Sequence, residues 1–193
     1  MTLLDTLLAQ GVRAWREPRE AAADVMALGV PREAMVPGLL LIVVVSVIIN
    51  ALAEMLSPSP MSVISHFQMT VFLLVLFATF AFAVCKVGQA FDGAGSCSDS
   101  LLLAVFFQAI FVPAQMLQVV LIAVAPGLAS LFALFLFGFG IWVNINFIAA
   151  LHGYPTLGKA FGVLIAASFV VAIAMILVAP VIGISLFGVQ PNV

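Results

Sequence analysis

Charge is what this sequence has least of. Six Lys and Arg and eight Asp and Glu make up 7% of its 193 residues and leave a net charge of -2. A water-soluble domain is about one quarter charged, so this chain cannot cover itself with a hydrated surface. So few basic residues, not clustered with exposed aromatics, exclude a nucleic-acid partner. There is one tyrosine, there are two histidines, and the two cysteines lack C-x-x-C spacing, so neither a zinc motif nor a dithiol redox motif is written here. No Ser–His–Asp or H-E-x-x-H arrangement occurs, and no enzymatic activity is expected.

What fills the space is hydrocarbon: 65% of residues are hydrophobic and the mean hydropathy is +1.34. A spanning helix needs about 20 mainly apolar residues, and five stretches supply them. They run at about 36–55, 67–87, 101–124, 128–151 and 158–182. The runs are continuous rather than alternating and too long for tilted strands, which excludes a β-barrel. The fold class is therefore an all-α integral membrane bundle of five transmembrane helices (residues 35–193), preceded by an amphipathic N-terminal helical arm (residues 1–34).

Within the arm, Leu4, Leu7, Leu8 and Trp15 recur at helical spacing. Pro18 then opens a second helix to Leu28, ended by Gly29 and Pro31, with Ala21, Ala22, Val25 and Met26 on its apolar side. Two placements suit such helices, the inner membrane surface or the cytoplasmic end of the bundle. The first 20 residues lack the basic start of a secretory signal, and Asp5 breaks their apolar run, so the arm is expected to stay in the mature protein.

Arg13, Arg16, Arg19 and Arg32 precede span one, Lys86 follows span two and Lys159 follows span four. All fall on one side, while Ser57–His66, the Pro126 turn and the tail GVQPNV carry no Lys or Arg. The positive-inside bias puts the N-terminus in the cytoplasm and the C-terminus outside. Cys85, Cys97 and His152 then share the cytoplasmic edge. Thiols on that reducing side should stay unpaired, and neither a metal nor a cofactor is expected.

The most polar run in the membrane domain is FDGAGSCSDS, between spans two and three. Ser96 followed by Asp99 directly before an apolar run has capping-box spacing, and Asp99 opposes the positive end of the helix dipole. Gly93 and Gly95 supply backbone freedom for the reversal. A phosphate loop would need a Lys and a strand–loop–helix setting, and both are missing. This run is a capped turn.

Together, DGAGSCSDSLLLAVFFQ, Pro113 within span three, NFIAALHGYPTLGKA and EPREAAADVMALGVPREAMVPGLLLIVVVSVI resemble bacterial members of the Yip1 family. Those proteins carry a G-G-x-G-S/T-aromatic loop before span three and an H-G-aromatic-S-like turn, here His152–Gly153, before span five. Asp92 stands in place of the first loop glycine, Cys97 in place of the aromatic and Pro155 in place of the serine. The resemblance implies a five-helix membrane bundle in the bacterial inner membrane with a cytoplasmic N-terminus. Eukaryotic relatives act in vesicle traffic and bind small GTPases.

Polar residues inside spans are costly and are the default functional candidates. Span one carries Ser46, Asn50 and Glu54 on one face, span three Gln108, Gln115 and Gln118, and span four Asn144 and Asn146. They can form a polar seam with Glu54 as an ion, proton or substrate ligand, or simply interhelical hydrogen bonds of about 0.6 kcal/mol each. His66, at the same outer level, is placed to pair with Glu54. In span five, Gly158, Gly162 and Ala166 form a small-xxx-small stripe for close helix packing, and Pro113 and Pro180 are positioned to kink their helices.

These readings converge on a membrane scaffold or adaptor whose partners are membrane lipids and a second protein or further copies of this chain. The alternative is a small transporter or channel using the polar faces of spans one and three, for a substrate that the sequence does not name.

Overall fold

The computed structural model describes residues 3–57 and 65–184, with side chains described from residue 9 onward. The side chains of the arm residues Leu4, Leu7 and Leu8, most of the loop after the first span and the tail GVQPNV lie outside that description. Seven helices make up the described chain: α1 (Leu3–Ala14), α2 (Pro18–Ala27), α3 (Arg32–Leu56), α4 (His66–Ala90), α5 (Cys97–Val124), α6 (Pro126–His152) and α7 (Leu157–Val178). The last five are long and apolar enough to cross a membrane. At 1.5 Å per residue they measure about 33 to 42 Å, against a hydrocarbon core of about 30 Å.

The boundaries follow local chemistry. Ser65 caps α4, its hydroxyl accepting from the Gln68 N–H while the Gln68 side chain accepts from the Ser65 N–H, a complete capping box. Ala125 alone joins α5 to α6, because Pro126 serves directly as the first residue of α6; proline's missing N–H costs nothing there. Pro113 lies inside α5. Pro180 lies beyond α7, correcting both the expected end of span five and the expected kink. The regular helix stops at Val178, and a further turn across Pro180 closes at Gly183, φ 76°, with the Ile184 N–H on the Ala179 carbonyl.

Four spans form a ring: α4 touches α5, α5 touches α6, α6 touches α7, and α7 returns to α4. Helix α3 lies outside this ring along α4 and α5. The face it buries is Met35, Leu39, Val43 and Val47, spaced at helical repeats. Helix α7 turns Ala160, Val163, Ala167, Val171 and Met175 inward. Gly158 and Gly162 have open space where a side chain would begin, so the expected glycine stripe is not a packing face within this chain. The helix simply buries the neighbouring row of larger residues instead.

The arm docks on the bundle. Ala14, Ala21, Ala22 and Val25 are fully buried, with α2 on α6 and α1 on α2 and α5. It does not stop at the end of the bundle. Trp15 stacks on Phe139 at 4.5 Å and on Phe111 at 6.0 Å, and Phe139 lies roughly 20 Å along α6 from His152 by helix rise. On its exposed side the arm gathers a charge cluster in which Arg13 pairs with Glu17 at 2.9 Å, Asp24 at 2.6 Å and Glu20.

The hydrogen bond from Arg13, reinforced by its charge, holds the Glu17 carboxyl below its ordinary value of 4.5. A depressed carboxylate stabilises the fold above its unfolded value and loses that contribution as pH falls through the folded one. The protection of residues 9–27 against hydrogen exchange, taken relative to the intrinsic rate at each pH, should therefore be constant above about pH 5 and fall on further acidification, and Glu17→Gln should flatten that dependence. Protection insensitive to pH in the wild type would contradict the role of this cluster.

Candidate functional site

The polar loop and the end of α6 are built around one imidazole. Helix α6 ends in a Schellman turn: Gly153 is left-handed at φ 68°, its N–H meets the Ala150 carbonyl, and the Tyr154 N–H meets the Ala149 carbonyl. This turn sets His152 inward, 3% exposed. Helix α4 ends in the same way. Asp92 takes the left-handed position at φ 62°, the Asp92 N–H meets Gln89 O, and the Gly93 N–H meets Gly88 O. Asp is one of the few side chains that tolerate this conformation, which is why it can stand where the resemblance has glycine.

Between the two turns the His152 ring is gripped by backbone. Its Nδ1 accepts from the Gly95 N–H at 3.2 Å, and its Nε2 lies 3.2 Å from the Val84 carbonyl. A carbonyl can only accept, so Nε2 carries the proton and the tautomer is fixed. Tyr154 stacks on the ring at 5.4 Å, and its hydroxyl donates to Gly88 O at 2.7 Å. The His152 carbonyl receives the Ala94 N–H, and the Gln89 amide donates to Gly95 O. Arg19 of the arm donates to the Tyr154 carbonyl, so α2 is fastened to the same point.

Gly93 and Gly95 were read as supplying freedom for a reversal. The structure gives another reason for them. A Cβ on Gly88 would stand 2.0 Å from Nε2 of His152, one on Gly93 2.4 Å from Nδ1, and one on Gly95 2.8 Å from Nδ1 and 2.7 Å from Leu151. Glycine is required because the ring occupies the space. Gly88 and Tyr154 were missed by sequence reasoning. The available signal was a third glycine at fixed offset from Gly93 and Gly95, together with a lone buried-type histidine.

The thiols are corrected too. Cys85 and Cys97 form a disulfide with a Cα–Cα distance of 5.1 Å. The expectation of free thiols rested on compartment alone. Packing the end of α4 on the start of α5 brings the two Cα atoms within bridging range. The bridge closes the loop that holds the glycines, and a ring of this size contributes about 3 kcal/mol in the chain-entropy account. Ser96 caps α5 as expected, accepting from the Asp99 N–H at 3.1 Å, while its own hydroxyl donates to Asp99 Oδ2 at 2.6 Å. Asp99 therefore completes a side-chain pair rather than a full capping box.

A rim of charge surrounds this knot. Lys159 lies 3.9 Å from Asp92 and 5.8 Å from the centroid of the Tyr154 ring, and Arg32 donates to Ser98. Burial first, and the nearby Asp92 charge second, raise the Tyr154 phenol above its ordinary 10.0, so it keeps the proton that it donates to Gly88. Both nitrogens of His152 are committed to backbone groups, which leaves the ring no free position for a ligand or for proton transfer.

The candidate polar residues of the spans do not converge into one site. Asn50 donates to Ser46 O, Asn144 to Gly140 O and Asn146 to Trp142 O, each one turn back on its own helix. Gln118 donates to Ala129 O of α6. Among these amides one bond joins two spans by side chains, Gln108 of α5 to the Ser46 hydroxyl of α3 at 2.9 Å, with both residues buried. The amide oxygens of Gln115 and Gln118 are buried without a partner. Glu54, half-buried, and His66, exposed, come within 3.8 Å at the far end. Among the described residues no three His, Cys, Asp or Glu side chains gather as a metal site would require.

Comparison with protein-family models, with curated proteins and with solved structures returned no match to this chain.

Gly88→Ala should displace the ring and break both of its hydrogen bonds, costing about 3 kcal/mol or more from overpacking and lost bonds together. In a His152→Ala background the same change should cost far less, because the clash is gone. Thermal unfolding in detergent measures both. Equal losses in the two backgrounds would mean that ring and glycine are not coupled.

Proposed function

We infer that this protein is a non-enzymatic membrane scaffold or adaptor that organises surrounding lipids or partner proteins, of the Yip1 kind that its loop sequences resemble. The observation that carries the reading is the way its polar groups are spent. The asparagine amides of the spans close on carbonyls of their own helices, Gln108 and Gln118 reach neighbouring helices, and His152 is sealed by backbone, so these polar groups hold helices in place rather than gather into one site. The docked arm supports the same reading, since it presents a cluster of one arginine and three carboxylates on the outside of the bundle. GTPase binding, known for eukaryotic relatives, would be carried over by fold-level analogy alone and forms no part of this proposal.

A small transporter is the second reading, favoured by the unpartnered amide oxygens of Gln115 and Gln118 on α5. One experiment separates the two. Native mass spectrometry of the protein released with its surrounding lipid should give a reproducible oligomer or a co-purifying protein, and reversing charge at Glu20 and Asp24 should weaken that association. A lone protomer carrying one specific small polar molecule would instead favour transport.

The reading includes a bacterial inner-membrane location with a cytoplasmic N-terminus, which rests on the basic residues gathered at one end of the bundle. The Cys85–Cys97 bridge lies at that same end, and cytoplasmic reductants oppose disulfides. In intact cells, Lys86 and Lys159 should resist an impermeant amine reagent, and rapid thiol tagging should find Cys85 and Cys97 still bridged, because Cys85 is buried and shields the bond from reductant. Labelled lysines would turn the protein over in the membrane.

A further inference from the structure

A cavity of about 230 Å³ lies inside the bundle between α4, α5 and α6. These are the helices of the ring in which α4 and α6 face one another with little direct contact. Its walls are apolar, formed mainly by Phe80, Leu103, Phe107, Phe147 and Ile148. Two polar residues also line it, and each directs a donor to a backbone carbonyl rather than into the space. The Ser100 hydroxyl donates to Ala81 O at 2.7 Å and the Asn144 amide to Gly140 O at 3.0 Å. A buried water typically needs about three hydrogen-bond partners, and an apolar cavity of about 150 Å³ stays dry and takes up benzene. Water is thus a poor occupant of this larger space, and a hydrocarbon is a good one.

The position of the cavity selects the source of that hydrocarbon. One end is closed by Ala81, Val84 and Leu151, all buried; Val84 offers its carbonyl to His152, so this floor is the underside of the histidine knot. The half-buried lining residues Phe77, Phe107 and Asn144 lie roughly 12 to 20 Å from that end of their helices by rise per residue. These positions lie within helices long and apolar enough to cross a membrane, so the cavity opens toward the acyl layer rather than toward the helix ends. We propose that this cavity is a binding site for the methyl end of a lipid acyl chain, which enters sideways from the bilayer interior and ends against the underside of the His152 knot.

The geometry makes the site selective for chain and indifferent to headgroup, because no charged side chain lines it. It is independent of the scaffold reading, since it needs neither a partner protein nor the arm. The test uses the full-length protein in nanodiscs containing a phospholipid with a photoreactive diazirine at the chain terminus, prepared once with phosphatidylethanolamine and once with phosphatidylglycerol. Labels should concentrate on the cavity-lining peptides of α4, α5 and α6 with either headgroup. Ala104→Leu and Ala81→Leu, which fill the cavity from two helices, should each reduce that labelling by about tenfold, since each displaced methylene is worth about 0.8 kcal/mol. Both should keep the wild-type unfolding temperature, and Ala133→Leu, on the exposed face of α6, should change nothing. If one filled variant unfolds, the other is read. Labels spread evenly over all five spans, labelling that survives filling, or dependence on one headgroup would each overturn the proposal.

Discussion

The architecture depends on one aromatic ring held by main chain alone. His152 leaves the last turn of α6, crosses to α4 and is gripped there by a carbonyl, an amide and the bare faces of three glycines. Each element near it answers to that placement. Helix α4 must end in a left-handed turn to bring Gly93 and Gly95 over the ring, the bridge between Cys85 and Cys97 keeps that turn closed, and Tyr154 covers what remains. Because Arg19 holds the Tyr154 carbonyl, even the amphipathic arm is referred to this point. In a medium that provides no hydrophobic drive for helices to associate, a fully satisfied polar knot is a strong way to fix the mutual position of α4, α5 and α6.

The membrane layout was legible because the bilayer dictates it. A run of 20 apolar residues has few alternatives, and turn chemistry at Gly29, Ser96 and Gly153 is local, so boundaries came out within a few residues. The knot was not legible for the opposite reason. Its partners are separated by more than 50 residues, and a glycine kept clear for a ring looks in sequence like a glycine kept for flexibility. Cys85 and Cys97 were judged by the chemistry of a compartment, whereas helix packing decides whether two sulfur atoms can meet. Gly158 and Gly162 followed a known association pattern and yet face away from every helix of the chain, since periodicity says that a face exists and not which neighbour it meets.

The polar span residues make a similar point about function. In sequence, Asn50, Asn144 and Asn146 form part of a seam. In the fold each turns back on its own helix and removes itself from any shared path, which is the least costly arrangement for a single amide in hydrocarbon. Gln108 and Gln118 are the exceptions: Gln108 joins the ring to Ser46 of the outer helix α3, and Gln118 joins α5 to Ala129 of α6. Polarity inside the bundle thus serves mainly to place helices, and the cavity between α4, α5 and α6 is left to mainly apolar walls.

The unequal lengths of the spans have a consequence at the membrane surface. Helices α5 and α6, with 28 and 27 residues, are each about 8 to 9 Å longer than α7, with 22. The first turn of α5 carries Cys97, Ser98, Asp99 and Ser100, so its surplus length suits the headgroup layer rather than hydrocarbon. The polar end of α5 therefore stands proud of the apolar slab, and the knot built on it meets the bilayer at the level of the headgroups.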